Sequence, residues 1–258
     1  DNDFDLQKRS QVLGMLTQDT YCIAVAGSHG KTTVSSMIAH ILNETIGCTA
    51  FLGGIVTNFA SNYINSNNKT VVVEADEYDR SFMTLKPNIT IITSIDTDHL
   101  DVYGNYENIV KEFKDFAQLN AEDGLLIANH SLADFNLNKN TTQVSYGVEE
   151  GEIFVSNYRI ENGKYFFDVN IGEEVIEDFE LNLAGKHNVE NAVAAIVAVK
   201  TMNVPNEEIK EALASFKGIY RRFEKRAVTE STVYIDDYAH HPNEIKALLE
   251  SVKELYPT

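Results

Sequence analysis

Apolar positions along the chain fall into two alternating rhythms. Short runs of β-branched and small apolar residues, "CIAVA" from residue 22, "TVVVEA" from 70, "NITIITSI" from 88, "GLLIAN" from 124 and "TQVSYG" from 142, read as strands. Between them, residues 32–44 and 106–119 space their apolar side chains at helical intervals. Strand and helix in alternation predict an α/β fold, a P-loop-type, mainly parallel sheet with helices on both faces. Over residues 151–183 the pattern changes to "EIFVSNYRI", "KYFFDVNI" and "EVIEDFELNL", separated by "ENG" and "GEE". That is the spacing of an antiparallel meander, a small β subdomain.

Two helical stretches follow, 187–202 and 205–216, the second opening on Pro205, which a first helical turn tolerates. After "KGIYRRFEKRAV", a strand-like "TVYIDDYA" and a helix-like "PNEIKALLESVKELY" make one βα unit. Such a unit cannot bury its own faces, so residues 223–258 are expected to open a truncated Rossmann-like domain. Residues 1–19 are polar apart from a short amphipathic patch at 12–16 and are expected to be the tail of a preceding domain. The body is expected to run over residues 20–222.

Composition narrows the functional classes. Lys plus Arg number 21 and Asp plus Glu 39, a net charge of −18, so the average surface repels nucleic acid and anionic membrane. A polyanionic ligand needs a local basic pocket. The longest purely apolar run, residues 192–199, falls far short of the roughly 20 residues a membrane span requires, and no signal-peptide pattern opens the chain, which points to the cytoplasm. Cys22 and Cys48 lack metal-ligand spacing and are expected to be reduced and structural.

The densest chemistry lies in "YCIAVAGSHGKTTVSSMIAHIL" at 21–42. A strand enters a turn of Gly27, Ser28, His29 and Gly30 and leaves through Lys31, Thr32 and Thr33 into a helix. Backbone N–H groups and the helix dipole at such a turn favour an anion. Lys31 is placed to reach nucleotide phosphates and the Thr32 hydroxyl to bind Mg²⁺, as in GxxxxGK[ST]. The strict pattern fails, because Val25 stands where its first glycine belongs. The GxGxxG fingerprint is absent from this turn, which counts against a dinucleotide site.

A Mg-nucleotide also needs an acidic residue at a neighbouring strand end. "VVVEADEYDRSF" places Glu74 there, and "DTDHLDVYG" places Asp96, Asp98, His99 and Asp101 on the same sheet edge. Glu74 and His99 combine a strand-end position with metal-ligand chemistry. Asp76, Glu77, Asp79 and Asp96 taken singly read as solvated loop acids.

"GSHGKTT", "EADEYD", "DTDHLDVYG", "GKHNVENAVAA", "RRFE" and "DDYAHHPNEI" occur in this order over about residues 21–245 and together resemble the Mur ligases. His29 resembles the loop of that family's alanine-adding and recycling branches, while Ser28 replaces the usual Thr. The resemblance implies that Lys31 and Thr32 bind the phosphates of ATP and a first Mg²⁺, that Glu74 ligates that ion, and that His99 ligates or positions a second. It puts His187 and Asn191 beside the adenine, Arg222 across a hinge from the nucleotide, and Asp237, His240 and His241 over the reaction centre. Two adjacent side chains on a strand point oppositely, so only one of the two histidines is expected to face the site. Gly53, Gly54 and Asn58 of "LGGIVTNF" are implied to approach a muramoyl substrate. Lys114 is in range of a lysine that some relatives carbamylate, and its ordinary reading is a solvated helix lysine.

The implied reaction is ATP-dependent ligation of L-alanine to the lactyl carboxylate of UDP-N-acetylmuramate through an acyl phosphate, in peptidoglycan precursor synthesis. The recycling branch, which attaches a ready-made peptide, is the alternative within the class. A nucleotide-binding module without ligase activity is the alternative outside it, and would be marked by loss of the metal residues. The family has three domains, so the present residues alone are expected to bind Mg-ATP and not to ligate.

Overall fold

The computed structural model describes residues 6–97, 100–132, 135 and 141–256. In chain order the elements are α1 (Arg9–Leu16), β1 (Tyr21–Ala26), α2 (Lys31–Glu44), β2 (Thr49–Val56), β3 (Ser61–Ile64) and β4 (Thr70–Glu74). A 3-10 segment (Tyr78–Thr84), β5 (Ile89–Ile92), α3 (Leu100–Tyr103), α4 (Tyr106–Ala117), β6 (Leu125–Asn129) and β7 (Thr142–Tyr146) follow. The rest comprises β8 (Ile153–Glu161), β9 (Lys164–Ile171), β10 (Glu174–Leu181), α5 (Lys186–Lys200), α6 (Asn206–Ser215), β11 (Glu224–Val228), β12 (Val233–Asp236) and α7 (Pro242–Leu255).

Ten of the strands form one mixed sheet in the order β10-β9-β8-β7-β6-β5-β1-β4-β2-β3. Its centre is parallel, and β4 and β5 are buried almost throughout, as strands covered on both faces must be. One face packs under α2, α5 and α6 around Met37, Ile38, Ile196 and Leu213. The other is covered by the 3-10 segment and α4, where Phe82 stacks on Phe116 at 4.5 Å between centroids and meets Phe113 edge-on at 5.6 Å. Each such pair adds roughly 0.5–1.5 kcal/mol beyond its buried area. The expected meander is β8–β10. It continues the main sheet through Tyr146 opposite Ile153 rather than standing apart.

Residues 9–16 dock on this body. Gly14 lies so close to Thr84 that a Cβ would sit 2.4 Å from its carbonyl oxygen, and the Thr84 hydroxyl donates to the Ser10 carbonyl at 2.8 Å. The expected βα unit at the C-terminal end is β12 and α7, with β11 pairing antiparallel to β12 as a separate two-stranded sheet. Cys22 and Cys48 are buried and unbridged, and burial pushes both thiols up to about 12.

What positions the site is the order around β1. The chain places β4 on one side of β1 and β5 on the other, so the C-terminal ends of three parallel strands open a crevice between them. Val25 is in register with Glu74, and Ala26 with Ile92, which brings the turn after β1 level with the loops after β4 and β5.

Candidate functional site

The turn between β1 and α2 is held from the β5 side. The Ser28 N–H donates to the Ser94 carbonyl at 3.0 Å, the His29 N–H to Ser94 Oγ at 2.9 Å, and the Asp96 N–H returns to Ser28 Oγ at 2.9 Å. Gly27 has φ of 137°, and a Cβ there would lie 2.1 Å from Thr93 Oγ1, so no other residue fits between β1 and β5. Gly30 caps α2 without a side chain, which leaves the first-turn N–H groups without a side-chain acceptor among the described residues. That is the donor array an anion needs.

Two acidic partners meet the first turn of α2. The Thr32 hydroxyl donates to Glu74 Oε1 at 3.1 Å, and the Gly53 N–H donates to Glu74 Oε2 at 2.7 Å. Burial raises the Glu74 pKa, opposed by those two hydrogen bonds and by Lys31 and Arg222. A Cβ on Gly53 would lie 2.3–2.5 Å from the Glu74 carboxylate, so glycine is what allows β2 to close on it. The Lys31 ammonium lies 2.9 and 2.8 Å from the two oxygens of Glu77 and donates to the Gly27 carbonyl at 2.6 Å. Glu77 was expected to be a solvated loop acid; its side chain is instead 3% exposed and neutralised by Lys31. Asp76 and Asp79 are exposed, Asp79 pairing with Lys8 at 3.0 Å.

The segment from Arg222 to α7 closes the crevice from above. Two contiguous cavities, of about 260 and 360 Å³, meet at His29, Gly30, Thr33, Arg222 and Glu244. The first is lined further by His187, Asn191 and Asp237, the second by Ser28, Lys31, Thr32, Glu74, His240 and His241. Asp237 ties the segment down, accepting from the Phe223 N–H at 2.6 Å and the Ala239 N–H at 2.7 Å. Burial works against the Glu244 charge. The N–H groups of His240 and His241, with Arg222 and His29, outweigh it and hold the carboxyl below its ordinary range. Asp96 is held low in the same way, its burial outweighed by the Thr97 N–H, the Asn243 amide and His29.

The two histidines do not sit on a strand, because β12 ends at Asp236 and His241 is the residue capping α7. Both line the second cavity, where only one was expected to face the site. The His241 ring lies tilted 5.2 Å from the His29 ring, while the His240 side chain is 71% exposed and meets Tyr238 edge-on at 5.1 Å. Gly54 abuts Thr32 and Ile219. Asn58 is engaged elsewhere, donating to the Ser215 carbonyl at 2.9 Å and accepting from the Lys217 N–H at 2.8 Å. Lys114 lies half-buried on α4 and does not line either cavity. Asp98 and His99 lie outside the described residues.

The cavity walls carry Glu74, Glu190, Asp237 and Glu244 against Lys31 and Arg222, an acidic balance for a polyphosphate site. Divalent cations would correct that balance. The hydroxyl of Thr32 and the carboxylate of Glu74 are hard oxygen donors in contact, which fits Mg²⁺. The residues that sequence reasoning missed are Glu77, Asn243 and Glu244; the position of Glu77 three residues after a buried strand end was the available signal for the first.

Residues 25–199 match the Mur ligase middle domain, and residues 221–258 match the Mur ligase, glutamate ligase domain. A curated relative from Flavobacterium psychrophilum, UDP-N-acetylmuramate–L-alanine ligase, is 47% identical over 100% of this chain and 56% of its own length. The chain thus spans about half the length of the curated relatives it matches. Among solved structures, the UDP-N-acetylmuramate-alanine ligase of Thermotoga maritima superposes with a TM-score of 0.82 at 29% identity, over 96% of this chain and 57% of that one. A murein peptide ligase from Psychrobacter arcticus gives 0.71 at 25%, over 96% and 58%.

Proposed function

The chain belongs to the Mur ligase family, and we propose that the whole protein joins L-alanine to the lactyl carboxylate of UDP-N-acetylmuramate, consuming ATP in the cytoplasm. The observation that carries the nucleotide half of this reading is the contact of Thr32 with Glu74 beside Lys31, on a turn whose helix lacks a capping side chain. Support for alanine over a ready-made peptide comes from the 47% identity, over this entire chain, to a protein named as the alanine ligase.

In this reading the γ-phosphoryl group moves to the lactyl carboxylate, and the alanine amine then displaces phosphate from the acyl phosphate. Both steps build negative charge on oxygen, so the protein's work is positioning and electrostatic stabilisation. The turn N–H groups and the Lys31 ammonium hold the phosphates. Lys31 exchanges Glu77 for them as they arrive. Thr32 and Glu74 hold Mg²⁺, which supplies charge neutralisation at the phosphoryl oxygens. Arg222 and Asp237 hold the closing segment over the nucleotide, with His187 and Asn191 along the first cavity. His240 and His241 line the second, and His99 is retained as the second metal ligand that the family resemblance implies.

The test is made on the full-length protein. With UDP-N-acetylmuramate and ATP supplied, L-alanine is expected to release phosphate at least tenfold faster than a murein tripeptide at equal concentration. A preference for the tripeptide would assign the recycling reaction, and phosphate release with neither acceptor would remove the ligase reading.

A further inference from the structure

His29, Asp96 and His241 come from the phosphate turn, the loop after β5 and the cap of α7, and their ligand atoms all lie within 4.8 Å of one another. From this juxtaposition we propose that the three side chains form a binding site for Zn²⁺ or a similar borderline divalent ion, distinct from the Thr32–Glu74 pair. Two imidazoles and one carboxylate are the donor set such ions prefer, whereas Mg²⁺ favours oxygen alone. Ligand atoms around a tetrahedral zinc stand roughly 3.3–3.5 Å apart. His29 Nε2 and Asp96 Oδ2 are already 3.3 Å apart, and the widest pair needs to close by about 1.4 Å at most.

The surrounding groups are those that orient metal ligands. Glu244 Oε1 lies 3.4 Å from the other ring nitrogen of His29, close enough to tighten on metal binding into the carboxylate–histidine hydrogen bond that fixes the tautomer and raises ligand basicity. Asn243 donates to Asp96 Oδ2 at 2.7 Å and steers that carboxylate from the same helix turn. Three protein ligands leave at least one position open to water or to a phosphate oxygen. Because one ligand belongs to α7 and two to the crevice below it, a bound ion clips the closing segment onto the phosphate turn.

The experiment is a competition titration of the nucleotide-free chain with Zn²⁺ against a chromophoric chelator, repeated with Co²⁺ to record its visible d–d bands. Without nucleotide or sugar substrate, the result is independent of the ligase reading. One tight site per chain with four- or five-coordinate cobalt bands is expected, its affinity falling at least tenfold in Asp96→Asn and in His241→Gln and holding in His240→Gln. The two losses lie on different elements, and circular dichroism on each variant separates lost ligation from lost folding. Absence of a tight site, binding unchanged in folded Asp96→Asn and His241→Gln, or equal loss in His240→Gln would overturn the proposal.

Discussion

The Lys31 ammonium and the Glu77 carboxylate form an ion pair at 2.8–2.9 Å in which the acid is 3% exposed and the base 15%. The lysine proposed to reach for phosphate is thus also the counter-charge of a buried carboxylate. Removing it alone takes the cation at 2.8–2.9 Å away from a buried carboxylate, and breaking such a pair costs about 3–5 kcal/mol. Lys31→Ala is expected to lose nucleotide binding and to lower the thermal midpoint. Lys31→Ala combined with Glu77→Gln is expected to recover most of the midpoint while binding stays lost. Calorimetric melts and nucleotide titration on the two variants separate the roles.

Gly53 gives the second prediction. Any side chain there must displace the Glu74 carboxylate, which a Cβ would approach to 2.3–2.5 Å. Gly53→Ala is expected to weaken Mg²⁺-dependent nucleotide binding at least tenfold, about 1.4 kcal/mol. Binding without Mg²⁺ should change much less. The check is titration with and without the ion.

His40 makes the fold sensitive to acid. Burial lowers its pKa from the ordinary 6.5, partly offset by Glu44 and by the hydrogen bond to the Ala212 carbonyl, and the ring also bonds Ser215 Oγ at 2.8 Å. The unfolded chain therefore binds a proton that the folded one resists. This contribution is fully present above about pH 6.5 and is lost as the pH falls from there towards the depressed value. Melts across pH 7.5 to 5 should show the midpoint falling on acidification, and His40→Leu should flatten that part of the profile while lowering stability at pH 7.5.

Asn58 was expected at the sugar substrate, and its side chain bridges to the backbone of Ser215 and Lys217. Asn58→Ala is expected to cost about 1–2 kcal/mol of stability from these two hydrogen bonds. Nucleotide affinity should be unchanged. The effect on the KM for the sugar nucleotide in the full-length protein then measures how far the residue also serves the substrate.

The central strands and α2 were legible because burial on both faces removes polar alternation and leaves runs such as Val71, Val72 and Val73. Less legible was β2, where Gly53 and Gly54 interrupt the apolar run for the sake of close approach to Glu74 and Thr32. Neither was β11, whose residues 225–228 are exposed and show no apolar face. Within the site, Lys31, Thr32 and Glu74 could be read from short motifs because each follows directly from a strand end. The meeting of His29, Asp96 and His241 could not, since it depends on how α7 seats over the crevice, which local pattern does not encode. The same holds for Glu77, whose charge looks solvated until Lys31 is folded against it.

The central claim is that the turn between β1 and α2, with Thr32 and Glu74, holds the phosphates of a Mg-nucleotide. It is tested most directly by calorimetric titration of this chain with a non-hydrolysable ATP analogue, with and without Mg²⁺, beside the Lys31→Ala/Glu77→Gln variant. The expected result is Mg²⁺-dependent binding that weakens at least tenfold in a variant of near-native thermal midpoint. Equal binding by the two folded proteins would contradict it.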